Sequence, residues 1–529
     1  MLQSITTSVS SFENLIRGGF VYVDKTAQVL ELLKPAFAQY FLARPRRFGK
    51  SLLVSTLQAI FEGKRELFKG LAIESRWDWS RVWPVIRLDL GSIDAKTPEE
   101  FRLSVRSLLD SEASRLGVSS LTDVLPADAF RQLIERVAAT AQDGKCVVLV
   151  DEYDKPLLRH LARPEAALMR DELKPFFGVV KYTEALQRFA LLTGVSKFSK
   201  VSIFSDLNNL TDLTLSPMAA TLLGYTHAEL RTNFGGRLAA LAQKFGLDEN
   251  AAFERLVKWY DGYRFHHAAE PVFNPVSVGR CLSDLEFANY WYETGTPTFL
   301  LELLKQRPVR LDNLELESSA FSTYEPADPD VLPLLQQTGY LTIKDAHEEG
   351  ETRIYRLGFP NLEVGKSFSN ALASAYAALP EGDSSEILAQ MVAALRVEDV
   401  DAMLDALSRF FAHIPANITL KNEKYYQSLF YAVFTLLGAR IQAECWTNRG
   451  RIDAVVQTDE ADFIFEFKLD DTAETALRQI HEKGYAERFA RPNRRVHLIG
   501  VAFDSTARNL ADRRHEQLTQ NLSQPKLKH

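Results

Sequence analysis

Ala43-Arg-Pro-Arg-Arg-Phe-Gly-Lys-Ser51 is the stretch on which the reading of this chain turns. The apolar run QYFLARP (39–45) enters it as a strand, and LLVSTLQAIF (52–61) leaves it with apolar residues at helical spacing. In the order strand, loop ending in Gly-Lys-Ser, helix, backbone N–H groups and the helix N-terminus are placed to cradle phosphate oxygens. Arg47, Phe48 and Gly49 supply that backbone. Lys50 would neutralise the terminal phosphates, and the Ser51 hydroxyl would hold Mg2+. The usual pattern, G-x-x-x-x-G-K-[ST], asks for glycine at 44, where this chain has Arg44.

Outward from the loop, WPVIRLDL (83–90), CVVLVDE (146–152) and FALLTGV (189–195) alternate with helical patterns up to about residue 225. Such alternation predicts an α/β fold, a parallel sheet flanked by helices. CVVLV ends in Asp151-Glu152, and the C-terminal ends of parallel strands are where open α/β sheets bind ligands. Asp151 would coordinate the magnesium and Glu152 would polarise the attacking water. FALLTGV carries Thr193, with Ser196 just beyond; either hydroxyl is suited to sensing a γ-phosphate. These strand ends predict binding of ATP or GTP with Mg2+; ATP and Mg2+ are the expected cofactors once the resemblance given below is added.

The bulk numbers set limits. A chain of 529 residues suggests about three domains. With 46 % hydrophobic and 25 % charged residues it has the composition of a folded protein. Its net charge of −7 means that any nucleic-acid surface must be a local basic patch. Cys146, Cys281 and Cys445 show no paired spacing, so neither a disulfide framework nor a zinc site is expected. The start, MLQSITTSVSSFENL, does not read as a signal peptide, and no apolar run is long enough for a membrane span. A cytoplasmic protein with no membrane partner is expected.

Residues 226–378 read as a mainly helical lid or spacer. TGYLTI (338–343) and IYRLGFPN (354–361) form a predicted hairpin behind short helices, a winged-helix-like arrangement. LPEGDSSE (379–386) is polar and is expected to be a flexible linker. The expected domains are therefore 1–225, 226–378 and 379–529.

The last domain has its own chemistry. NEKYYQSLFYAVFTLLG (422–438) has helical spacing, and ARIQAECWT, RIDAVVQT and DFIFEFKL read as successive strands. TAETALRQIHEKGYAERF is a predicted helix and RRVHLIGVAFD a last strand. In DFIFEFKL, alternation puts Phe463, Phe465 and Phe467 on one face and Ile464, Glu466 and Lys468 on the other. A hairpin with the preceding strand can bring Asp453 beside Glu466, so that two carboxylates share one Mg2+. Lys468 would orient a water or stabilise charge on a phosphate. Glu423 and Gln427, one turn apart, would extend the metal or water shell.

These motifs resemble two known families. YVDKT (22–26), RPRRFGKSLL (44–53), VDEYDKP (150–156) and TGVSKFSKVSIFSDLNNLTDLT (193–214) are similar to the AAA-ATPase-like family of bacterial and archaeal proteins. In that family Arg-Pro-Arg-Arg-Phe-Gly-Lys-Ser is the usual phosphate loop. The likeness continues through YDGYRF (260–265), FNPVSV (273–278) and YWYETGTPTFL (290–300). It implies that Tyr22 and Asp24 lie near the nucleotide. The C-terminal element order resembles the PD-(D/E)XK nuclease superfamily, with its restriction-endonuclease-like α/β core. That resemblance implies a catalytic set of Asp453, Glu466, Lys468 and Gln479, with Tyr485 steadying the site. Related sequences commonly carry Tyr-His where this chain has Tyr426-Gln427.

The expected function is an ATP-binding, ATP-hydrolysing protein with a Mg-dependent nuclease domain acting on nucleic acid, DNA in the first instance. The resemblance implies a role in defence or mobile-element control. The alternative is a nucleotide-controlled switch whose nuclease-like domain only binds nucleic acid or a partner. Homo-oligomerisation is left open.

Overall fold

Continuous apolar strands need cover on both faces, and the computed structural model provides it. It describes residues 3–518 except 120, 123, 159, 161–162, 164, 198–208, 292–299, 302, 305–313, 323–329, 378–380, 413–429, 431–432, 434–439, 448–449, 459, 490–493 and 508. The chain divides into two compact units, residues 1–295 with 315–364, and residues 296–314 with 365–529.

In the first unit, strands β1 (Ala38–Ala43), β2 (Val85–Asp89), β3 (Cys146–Asp151), β4 (Gln187–Gly194) and β5 (Thr211–Asp212) form one sheet in the order β2-β3-β4-β1-β5. Every pair is parallel. β1, β3 and β4 are buried along their whole length, as their unbroken apolar runs require. The helices Lys50–Phe61, Pro98–Arg115, Pro126–Ala138 and Glu165–Tyr182 supply the connections. β5, two exposed polar residues beside β1, was not anticipated.

The helices His227–Phe245 and Glu249–Tyr260 follow. A Thr226–Glu229 capping box starts the first, and Asp248 caps the second. Leu230, Phe234, Leu256, Tyr260 and Phe273 form their common core. The expected hairpin is present as Thr342–Glu349 and Thr352–Gly358, behind the helix Val331–Thr338.

In the second unit, strands β6 (Arg440–Thr447), β7 (Gly450–Gln457), β8 (Ala461–Leu469), β9 (Arg495–Asp504) and β10 (Asn509–Gln517) form a mixed sheet in the order β10-β9-β8-β7-β6. Only β8 and β9 run parallel, joined through the helix Ala473–Glu482. Ile464, Leu477, Ile480, Tyr485 and Leu498 fill the space between helix and sheet. Phe430 packs on Phe465 and Phe467, so the two alternating faces of β8 meet different layers. β10 extends the expected element order by one edge strand.

One expectation is corrected. Of the expected linker Leu379–Glu386, residues Glu381 onward begin the helix Glu381–Arg396. A polar stretch with acidic residues is also what the first turn of a helix favours, because its dipole attracts negative charge.

Candidate active sites

The phosphate-type loop runs from the end of β1 to Lys50, the first residue of its helix. Gly49 has φ 90 and Arg47 φ 68, so the loop turns through two left-handed positions. At Gly49 that conformation is free of the Cβ clash other residues would meet. Lys50 is only 7 % exposed, and its Nζ donates to the carbonyls of Arg44 (2.9 Å) and Pro45 (3.0 Å). Burial lowers its pKa, against the pull of Asp151, Asp154 and Glu152. The charges of three acids at and just beyond the end of β3 thus act on the ammonium.

Asp151 is hydrogen-bonded to the Ser51 side chain, and its pKa is raised, chiefly by burial. This joins the two residues expected to share a magnesium. Glu152 adopts a left-handed φ of 49, and its N–H donates to Asp151 Oδ1 at 3.0 Å. Its carboxylate reaches toward Gly91, where an added Cβ would stand 2.7 Å from Oε2. Thr193 is fully buried at the end of β4, and its Oγ1 has no partner among the described residues. Ser196, by contrast, gives its hydroxyl to Asp154.

A cavity of about 490 Å3 opens against this loop, a size suited to a nucleotide. Arg47, Phe48, Lys50 and Ser51 line it, together with Ser10, Tyr22, Leu222 and Pro275 from other segments. Asp151 and Thr193 are not part of the lining, whereas Glu152 is. Tyr22 lines the cavity. Asp24 does not: its oxygens accept from Thr26 and from the Ala72 N–H.

Sequence reading missed several neighbours. Asp89 ends β2 directly beside Asp151 in register, and its charge helps raise the Asp151 pKa. The signal was present, since WPVIRLDL also ends in an acid. Asp154 accepts from the Val195 and Ser196 N–H groups and the Ser196 hydroxyl, and Tyr153 Oη donates to the Ser196 carbonyl. Both lie in VDEYDKP, yet only folding shows that they tie β3 to β4. The contribution of residues 6–10 and 222–225 to the cavity left no trace in the sequence pattern.

In the second unit the hairpin of β7 and β8 pairs Ala454 with Phe465. Asp453, the preceding residue, accepts the Phe467 N–H through Oδ2 at 2.8 Å. Glu466 is 1 % exposed. Its Oε1 accepts from Lys468 Nζ at 3.2 Å and from Gln479 Nε2, while Oε2 has no partner among the described residues. Burial first, and the Asp453 charge second, push the Glu466 carboxyl well above the usual carboxylate range. The structure therefore brings Asp453, Glu466, Lys468 and Gln479 together. Tyr485 sits in the core beneath the helix. Glu423 and Gln427 lie outside the described residues.

Among the described residues no three His, Cys, Asp or Glu side chains form a metal cage. The donor set still suits a hard cation. Two adjacent carboxylates, one with a buried oxygen lacking a partner among the described residues, would suit Mg2+, which keeps several waters and takes few protein ligands.

Comparison with known proteins agrees with this geometry. Residues 6–204 match the family model described as Predicted AAA-ATPase, and residues 421–513 match the PD-(D/E)XK nuclease superfamily. The "Uncharacterized protein in vnfD 5'region" of Azotobacter chroococcum mcd 1 is 37 % identical over 521 residues, covering 96 % of this chain and 98 % of that protein. Among the described residues no helix is long and apolar enough to cross a membrane. The chain belongs to the predicted AAA-ATPase family and carries a C-terminal domain of the PD-(D/E)XK nuclease superfamily.

Proposed function

We propose that this chain is a cytoplasmic, nucleotide-controlled nuclease whose first unit binds and hydrolyses ATP and whose second unit cleaves DNA, each with Mg2+. The segment 226–378 serves as lid or spacer, and 379–529 as the nuclease domain. The resemblance alone suggests a setting in defence or mobile-element control.

At the nucleotide site, Ser51 and Asp151 would hold the magnesium of MgATP, and Lys50 would leave its two loop carbonyls to meet the terminal phosphates. Glu152 accepts the proton of the attacking water. Thr193, buried behind the cavity lining, would have to be uncovered for its hydroxyl to donate to a γ-phosphate oxygen. At the nuclease site, Asp453 and Glu466 would hold Mg2+, which supplies a Lewis acid to polarise the scissile phosphate. Gln479 orients the Glu466 carboxylate, and Lys468 stabilises charge growing on the phosphate.

The observation that carries the reading is Glu466: a buried carboxylate beside a second one, with one oxygen held by an amide and an ammonium and the other without a partner among the described residues. The test incubates purified protein with plasmid, linear duplex, single-stranded DNA and RNA, with and without ATP and Mg2+. Mg-dependent DNA cleavage that changes with ATP supports the proposal. ATP hydrolysis with no cleavage of any substrate would replace it with the switch.

A further inference from the structure

Arg44 stands where the usual phosphate loop has glycine, and its surroundings explain what it does there. It is 1 % exposed. Its backbone N–H donates to the Gly194 carbonyl at 3.1 Å, extending the β1–β4 pairing by one residue. Nη1 donates to the carbonyls of Ala43 and Thr214, both at 2.8 Å, and Nη2 to that of Ala219 at 2.6 Å. The guanidinium lies 4.1 Å over the ring of Phe265. Every one of these contacts is structural, and the side chain is committed to the body of the unit.

The other end of the loop meets the same ring. Phe48, also 1 % exposed, packs edge-on against Phe265 at 5.2 Å and Tyr263 at 4.8 Å. Between them, Pro45 presses on Gly339, where an added Cβ would stand only 2.6 Å from Pro45 Cβ. Gly339, at φ 91, is also the residue that ends the helix Val331–Thr338. Lys50 completes the arrangement by donating to the carbonyls of Arg44 and Pro45. One aromatic ring from the YDGYRF segment therefore holds both ends of the loop.

We infer that Arg44 is a positioning residue, and that the bracket Arg44–Phe265–Phe48 fixes the phosphate loop in its nucleotide-binding shape in place of a glycine turn. The inference rests on the ATP-site reading above. It makes ATP affinity depend on Phe265, a residue outside the cavity lining. Restoring the standard pattern should then harm the site, because glycine removes three carbonyl contacts and the ring contact together.

The experiment compares the full-length parent with Arg44→Gly, Arg44→Lys and Phe265→Leu. Arg44→Gly should weaken ATP binding about tenfold or more in calorimetry, with Arg44→Lys intermediate, since lysine keeps the charge but not the planar fork. Phe265→Leu keeps every group in the cavity. It should raise KM for ATP several-fold, on the order of one ring contact, and leave kcat within about twofold. Without nucleotide, amide hydrogen exchange across residues 46–50 should quicken in Arg44→Gly and Phe265→Leu. Parent-like ATP affinity in Arg44→Gly overturns the inference, as does unchanged exchange in both variants. A silent Phe265→Leu beside an impaired Arg44→Gly also overturns it, because Arg44 would then act on the nucleotide directly. If the parent binds no ATP, the ATP-site reading falls and the exchange comparison alone decides the bracket. If Arg44→Gly does not fold, Arg44→Lys and Phe265→Leu decide it.

Discussion

Glu466 and Gly500 are partners across the parallel pair β8–β9, and no side chain fits at position 500. A Cβ there would stand 2.3 Å from the Ala473 carbonyl oxygen and 2.9 Å from the Leu477 nitrogen. The helix Ala473–Glu482 therefore lies directly on β9 beside the acid, close enough for Gln479 to reach it. A missing side chain on one strand sets the hydrogen bonding of a carboxylate on the next.

Gly500→Ala should push that helix away from the sheet. Overpacking of this kind costs about 1–3 kcal/mol. Displacing a positioned group by a fraction of a helix turn can cost roughly 10²-fold in rate. Cleavage assays with urea unfolding on the same preparation measure both. Parent-like cleavage would show that Gln479 does not matter to the chemistry.

At the nucleotide site, Lys50→Ala and Glu152→Gln should separate binding from hydrolysis. Lys50 is a buried ammonium on which the charges of three acids act, so its removal should lower ATP affinity by roughly 10²-fold or more. Glu152→Gln keeps the shape and loses the base, which should slow hydrolysis by about 10²–10⁴-fold with little change in affinity. Calorimetry and phosphate release on both variants provide the check. Wild-type hydrolysis by Glu152→Gln would hand water activation to another residue, and Asp89 is the nearest alternative acid in register.

Asp453→Ala, Glu466→Ala and Lys468→Ala should each stop or slow cleavage while ATP hydrolysis continues, because the two sets of residues belong to different compact units. The two acid variants should fail to respond to Mg2+, having lost one of few negative ligands. Lys468→Ala should still respond to Mg2+ and lose roughly 10²–10³-fold in rate. Mg2+-dependent thermal shifts beside cleavage rates distinguish the classes. Three variants that cleave like the parent would remove the nuclease assignment.

Legibility followed burial. β1, β3 and β4 are covered on both faces, so their apolar runs announced them, and the acid at the end of CVVLVD marked the site. Asp453 and Glu466 were readable as a pair because β8 alternates cleanly, with Phe465 and Phe467 on one side and Ile464 and Glu466 on the other. β5 and β10 gave no such signal: Thr211–Asp212 is exposed, and NLADRRHEQ is mostly polar, as an edge strand can be. Gly500 carries no local signal in RRVHLIGVAFD, because its meaning lies in a helix that precedes it in sequence. The cavity wall from residues 6–10 and 222–225 depends on long-range folding that no local pattern encodes.

Stability of the second unit should carry the signature of Glu466. Burial and the Asp453 charge raise its carboxyl from an ordinary 4.5 to about 8. Between those values the folded state holds a proton that the unfolded chain has released, so the sign of the linkage is fixed. This contribution is fully present below 4.5 and is lost as pH rises through about 8. In chelator, calorimetry should show a lower unfolding temperature for this unit near pH 8.5 than near pH 6, roughly tracking that proton. Glu466→Gln should flatten the difference. Binding of Mg2+ must displace the same proton, so less Mg2+ should be needed as pH rises over the same window. A slope of the opposite sign in the parent would mean that the carboxylate is charged and paired.

Thr193→Val offers the sharpest separation of structure from chemistry. The Thr193 hydroxyl is buried at the end of β4 without a hydrogen-bond partner among the described residues, a condition that costs about 1–3 kcal/mol. Valine has nearly the same shape and no polar atom. If the hydroxyl were only part of the core, its replacement should stabilise the first unit and change nothing else. If it donates to the γ-phosphate, the same replacement should raise the unfolding temperature without nucleotide and slow hydrolysis by about tenfold or more. ATP affinity should change little, since Lys50 and the loop backbone remain. Scanning calorimetry without ligand and steady-state phosphate release read the two effects independently. A variant that is both more stable and fully active would remove Thr193 from the site. One that is less stable would show that its hydroxyl is already satisfied in the folded protein.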